Sequence, residues 1–215
     1  MIITIDGPAG SGKSTVAGIL AKKLNFIHFN SGALYRGITA HLVNTNYNIK
    51  EITKDTDLPD FNLEVKMQNN EQHVFVNNKD YTPILRNNEI STMVAFVALN
   101  KDCRKAVDNC QREFAKQNNI VIEGRDVGSH VFPNADIKFY LDCSIKERAK
   151  RRFKEEQAKN SKVTLEEIEK QIEERDILDK TREIAPLVVP ENAIIVDTST
   201  LSINKVVETL LNHIN

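Results

Sequence analysis

Tryptophan is absent from the 215 residues, cysteine occurs three times, and aromatic residues make up 6 %. Three cysteines (Cys103, Cys110 and Cys143) cannot frame a disulfide scaffold, and none forms the C-x-x-C pair a zinc site asks for. That usage fits a reducing compartment, and the protein is expected in the cytoplasm. No run approaches the roughly 20 apolar residues of a membrane helix. Met1–Asp6 has neither the basic start nor the long apolar stretch of a signal peptide and reads as a strand. Charge of one sign is also lacking: 29 Lys+Arg meet 30 Asp+Glu, a net charge of −1. The broad basic excess of a duplex-DNA binder is therefore missing. What is present is 40 % hydrophobic residues, enough to exclude disorder, in a chain long enough for one domain with an insert.

The near-neutral average hides one concentration. Lys146 to Lys154 holds six basic residues and one acid, a local +5, so the remainder carries −6. A solvated helix face would explain such a run, and Arg148 and Arg152 at i,i+4 would share that face.

The hydrophobic pattern alternates between strands and helices. Ile2–Asp6, Phe26–Phe29, Ile120–Glu123, Ile137–Leu141 and Ala193–Val196 read as short buried strands. Helical spacing follows in Ser14–Leu24, in a segment capped by Ser31, around Glu89–Leu99 and Asp102–Lys116, and in Ile203–Ile214. Ser144…Glu147 and Thr164…Glu167 have the spacing of capping boxes, with a polar loop, Gln157–Lys162, between them. Phe61 to Val76 differs: apolar and polar residues alternate strictly on both sides of Gln68–Gln72, an antiparallel hairpin with one wet face. The fold class is α/β, a central parallel sheet flanked by helices with a small antiparallel insert. Cys103 and Cys110, seven apart, would share a helix face in the core. The five histidines (His28, His41, His73, His130 and His213) have no metal-ligand spacing.

Gly7-Pro8-Ala9-Gly10-Ser11-Gly12-Lys13-Ser14 matches G-x-x-x-x-G-K-[ST], between an expected strand and an expected helix. Glycines let the backbone N–H groups wrap an anion, and the helix N-terminus adds its positive dipole end. Lys13 would place a cation between β- and γ-phosphates, and the Ser14 hydroxyl would ligate Mg²⁺. A nucleoside triphosphate is the expected ligand.

The acceptor side separates the classes that share this loop. A guanine-reading N-K-x-D is absent, because Tyr81 and Cys103 stand at the fourth position of the two nearest matches. A small-molecule kinase needs a second anion site and a mobile arginine-rich lid that excludes water. Ten arginines are available, among them Arg36 after the second strand, Arg125 directly after a strand, Arg148, Arg151 and Arg152 in the basic window, and Arg175 and Arg182 beside Asp176 and Asp179. Ligands gather at the C-terminal ends of parallel strands, and Arg suits bidentate phosphate grip.

Ile5–Thr15, Asn30-Ser31-Gly32-Ala33-Leu34-Tyr35-Arg36, Ile122-Glu123-Gly124-Arg125-Asp126, Val131-Phe132-Pro133, and Glu174 through Leu187 together resemble the bacterial cytidylate kinase family over nearly the whole chain. The resemblance implies a P-loop kinase of residues 1–215, with a core of 1–58 and 88–215, a nucleoside-monophosphate-binding insert at about 59–87 and a helical lid at about 146–164. It implies transfer of the γ-phosphoryl group of ATP to CMP or dCMP with Mg²⁺, by a monomer that needs neither membrane nor duplex nucleic acid. Gly7 to Thr15 and Arg151 would bind ATP, and Lys13, Arg148 and Arg152 would assist transfer. Arg36, Arg125 and Arg182 match residues that grip the CMP phosphate. Arg104 and Asp126, with Ser31, match the surroundings of the base, and Arg175 and Asp179 match positions near the sugar; Tyr35, in the same block as Ser31, is expected to bind the substrate too.

The sequence departs from the family at Ala95, where some members have serine, which leaves ribose against deoxyribose open. Glu123 stands where Asp often precedes Gly-Arg-Asp. Asp126 reads in two ways: as the acceptor of a hydrogen bond from the cytosine N4 amino group, or as a structural carboxylate paired with Arg125 or a helix N-terminus. Kinases of UMP, dTMP or shikimate, and a nucleotide-dependent switch without turnover, are the competing functions.

Overall fold

The computed structural model describes residues 1–69, 71–158 and 163–214. Five parallel strands, β1 (Ile2–Asp6), β2 (Ile27–Asn30), β6 (Ile120–Glu123), β7 (Ile137–Asp142) and β8 (Ile194–Asp197), form one sheet in the order β2-β6-β1-β7-β8. Their apolar runs follow from burial on both faces. One face packs Ile3, Ile5, Val121, Phe139 and Leu141 against α1 (Lys13–Leu24) and α7 (Ile203–Asn212). The other packs Phe29, Ile120 and Ile122 against α2 (Ser31–Asn44), α3 (Asn88–Val97) and α4 (Lys101–Ala115). Cys103 is fully buried there, with Cys110 packed against the same cluster. Central β1 ends at the glycine-rich loop, and β6 and β2 end beside it, so three strand ends converge on one crevice.

The expected hairpin is a three-stranded antiparallel sheet, β3 (Leu63–Gln68), β4 (Glu71–Val76) and β5 (Lys79–Asp80). Asn77 and Asn78 both take left-handed φ values, 50° and 63°, the turn geometry that folds β5 back onto β4. Val74 and Val76 are buried against Ala40, Tyr81, Leu85 and Ile90, which seats the insert on α2 and α3.

Local details differ from the sequence reading. Asn30, not Ser31, caps α2: its Oδ1 accepts from the Ala33 N–H at 2.9 Å, and Ser31 lies inside the helix. The asparagine reaches the third N–H from the last strand residue, so strand and helix abut without a loop. The Thr164–Glu167 box closes both ways, at 2.9 and 3.2 Å, and starts α6 (Leu165–Thr181). At α5 (Ile145–Gln157) only half of it forms: Ser144 Oγ accepts from Glu147 N at 3.3 Å, but the Glu147 carboxylate turns to Arg151 at 3.4 Å. Ser144 N donates to Ser199 Oγ instead. The expected loop at 157–162 begins later, since α5 includes Gln157, and 159–162 lie outside the described residues. Among the described residues no helix is long and apolar enough to cross a membrane.

Candidate active site

The loop from Gly7 to Gly12 is held open by three positive φ angles, 146°, 78° and 92° at Gly7, Gly10 and Gly12. A Cβ on Gly7 would lie 2.2 Å from the Leu141 carbonyl oxygen, so only glycine lets the loop leave β1 beside β7. Lys13, 4 % exposed, donates to the Pro8 carbonyl at 2.6 Å and to Ser11 Oγ at 3.3 Å. Burial, and then the nearby positive charge of Arg125, push its pKa well below the ordinary lysine range. Lys13 thus feels both halves of the crevice. Ser14 and Thr15 open α1 with exposed side chains, and Ser14 Oγ accepts from Asn30 Nδ2 at 3.4 Å.

Behind the loop stands α5. Arg148, 3 % exposed, donates to Asp176 of α6 at 3.1 and 2.6 Å, to Ala9 O at 3.1 Å and to Cys143 O at 2.9 Å. Arg151 holds Thr198 O at 2.6 Å, and its guanidinium passes 3.9 Å from where a Gly12 Cβ would be. Thr198 in turn donates to Ser11 O at 3.0 Å. Arg152 makes no ion pair among the described residues. The three arginines of the basic window therefore divide: two brace the phosphate loop and one stays uncommitted.

A half-buried arginine cluster forms across the crevice. Asp179 receives Arg125 Nε at 3.0 Å and Arg175 Nε at 3.1 Å, with Arg182 Nη1 at 3.7 Å. These cations hold its carboxyl below the usual range despite burial, which alone would raise it. Asp126 is paired with Arg104 on one oxygen and with Arg182, at 3.0 Å, on the other. The alternative of an Arg125–Asp126 pair is thereby corrected, since Arg125 turns to Asp179. Arg104 lies over the buried Tyr35 ring, 5.8 Å from its centroid, and donates to Ala98 O at 3.1 Å. Ser31 is buried against Gly124, and Ala95 is buried on α3.

Arg36 is the exception in this cluster. It has no carboxylate within ion-pair distance among the described residues, and burial followed by the charge of Arg125 lowers its pKa to about 10. Among the described residues, the five arginines Arg36, Arg104, Arg125, Arg175 and Arg182 stand against the four carboxylates of Asp126, Asp179, Glu123 and Asp108, so positive charge is in surplus where an anion would dock.

Several organising residues escaped the sequence reading. Asp6 is fully buried and accepts from Val127 N at 2.8 Å and Gly128 N at 2.7 Å, which fixes the wide turn Val127–Val131 directly after Asp126. Its position just before Gly7 was the available signal. Asp176 was read only as a neighbour of Arg175, and its pairing with Arg148 was missed. Asn30 and Gln72, described below, gave no sign. No group of three or more His, Cys, Asp or Glu among the described residues could hold a metal ion.

The cytidylate kinase family model matches residues 3–215. A cytidylate kinase from Oceanobacillus iheyensis is 40 % identical over 99 % of this chain and 93 % of its own length. Those of Ligilactobacillus salivarius (42 %, 99 % and 95 %) and Carboxydothermus hydrogenoformans (41 %, 100 % and 97 %) are similarly related. Among solved structures, an uncharacterized protein from Eubacterium ventriosum (TM-score 0.57, 14 % identity, 100 % and 98 % coverage) and shikimate kinase from Bacteroides thetaiotaomicron (0.53, 15 %, 100 % and 98 %) share the fold. With that match along nearly its full length, the chain belongs to the cytidylate kinase family.

Proposed function

We propose that the protein is an ATP-dependent (d)CMP kinase that converts ATP and CMP or dCMP into ADP and CDP or dCDP, in the cytoplasm and as a monomer. The observation that carries this reading is the juxtaposition of a phosphate loop with a cation-rich cluster in which Arg36 has no ion pair among the described residues. A nucleoside monophosphate brings about two negative charges near neutral pH, as phosphate monoesters do, and the cluster has charge to meet them.

The acceptor phosphate needs no general base, because its ionised oxygen is already the nucleophile. Catalysis is then positioning and charge neutralisation of a loose transition state. Arg36, Arg125 and Arg182 hold the acceptor phosphate, and Arg175 and Asp179 the sugar end. Gly7 to Thr15 wrap the triphosphate, with Lys13 leaving Pro8 O for the β- and γ-phosphates. Mg²⁺, when bound, would neutralise charge between those phosphates; the exposed Ser14 hydroxyl suits a cation that takes most of its ligands from nucleotide and water. Arg152, which has no ion pair among the described residues, is the lid cation for the transferring phosphoryl group. Arg148 would reach it only by leaving Asp176, so its main work is to shape the loop.

Asp126 accepts from the cytosine N4 amino group with carboxylate capacity beyond its two arginine pairs. Uracil presents an oxygen there and is rejected. Residues at about 59–87 form the acceptor-binding insert, and those at about 146–164 the lid, on a core of 1–58 and 88–215. Chromatographic identification of CDP from MgATP and CMP tests the reading; ATP binding without product would favour a nucleotide switch.

A further inference from the structure

Three parts of the molecule meet at Asn30, the last residue of β2. Its side chain donates to Ser14 Oγ at 3.4 Å and to Glu123 Oε1 at 2.7 Å, and its Oδ1 caps α2. Its backbone is held from outside the sheet: Gln72 Oε1 accepts from Asn30 N at 2.7 Å, and Gln72 Nε2 donates to Asn30 O at 3.1 Å. β2 is one of the sheet's two outer strands. One side-chain amide gives it, at a single residue, the two hydrogen bonds that a neighbouring strand would give.

The insert has an apolar seat as well. A Cβ on Gly37 of α2 would lie 2.5 Å from Val74 Cγ1, so β4 rests directly on α2 two residues beyond Gln72. Apolar contact is non-directional and tolerates sliding. A two-bond amide pair fixes both position and angle. The residue it fixes is followed at once by Ser31, and one helical turn and a half later by Arg36.

We propose that Gln72 is a positioning residue for the acceptor nucleotide. By clamping Asn30 it sets the start of α2, and with it Arg36, against the insert on one side and Ser14 on the other. The inference rests on the reading of Arg36 as a ligand of the acceptor phosphate. Gln72 itself touches neither substrate in this account.

Gln72→Leu keeps the bulk and removes both bonds, whereas Gln72→Glu keeps the acceptor for Asn30 N and sets a carboxylate oxygen against Asn30 O. Initial rates with CMP and ATP varied separately should show KM for CMP raised roughly tenfold in each, the size of one or two lost hydrogen bonds. KM for ATP and kcat should stay within about threefold. Unchanged KM for CMP in active, folded variants overturns the proposal, and so does a parallel rise in both KM values. Collapse of the melting temperature in both variants would assign Gln72 to stability alone and overturn it too. CMP turnover by the unsubstituted protein in the same assay checks the functional reading separately.

Discussion

Arg148 of α5 and Asp176 of α6 meet through two hydrogen bonds of 3.1 and 2.6 Å, and the same guanidinium donates to Ala9 in the phosphate loop. A residue from the basic window, expected in a lid, is thereby the pin that joins two helices to the loop.

Removing either partner of this pair leaves a buried charge unpaired. Arg148→Ala and Asp176→Ala should each lose about 3–5 kcal/mol of stability in urea unfolding. Arg152→Ala should leave stability unchanged within about 0.5 kcal/mol and lower kcat. Equal stability for Arg148→Ala and Arg152→Ala would contradict the division of labour.

Arg36 is expected to behave in the opposite way. It faces Arg125 and Arg175, with Glu123 nearby but no carboxylate within ion-pair distance among the described residues. Arg36→Ala should therefore cost no more than about 1 kcal/mol of stability, because self-repulsion is relieved. KM for CMP should rise by roughly ten- to a hundredfold with KM for ATP nearly constant. Thermal melts and kinetics on the same preparation check both halves.

Arg182 joins Asp126 at 3.0 Å to Asp179 at 3.7 Å. Arg182→Ala should damage CMP use and leave ATP affinity nearly intact. Titration with ATP alone decides this, and collapse of ATP binding would show that donor and acceptor halves are not separable.

Asp6 should impose a pH dependence on folding. Burial raises its carboxyl from 3.8 to about 7, against the two backbone hydrogen bonds that favour the charged form. The folded state then binds this proton more tightly than the unfolded chain. Its contribution is fully present below pH 4 and is lost as pH rises to about 7. Asp6→Asn cannot titrate, so the stability of the unsubstituted protein relative to this variant should fall across that window. The variant also turns an amide N–H toward a backbone N–H, a penalty of about 1–3 kcal/mol. Urea unfolding of both proteins at pH 4.5, 6 and 7.5 reads the difference.

Periodicity exposed the five parallel strands and the insert because both-face burial and one-face burial leave different apolar patterns, as Ile120–Ile122 and Leu63–Met67 show. The phosphate loop was legible from its glycines and Lys13. Strand β5 was not, because Lys79 and Asp80 are exposed and pair only through the Asn77–Asn78 turn. Arg148 looked like Arg152 in sequence; the distant Asp176 and Ala9 make the first a buried brace, while the second has no ion pair among the described residues. Gln72 carries no local signal, since its partner lies 42 residues away on another sheet.

The most direct test is turnover of CMP, dCMP, UMP and AMP by purified protein with MgATP, followed by coupled detection of ADP. The account predicts kcat/KM for CMP or dCMP above that for UMP and AMP by roughly two orders of magnitude or more, because uracil would leave the buried Asp126 facing an oxygen. UMP turned over faster than CMP would contradict it.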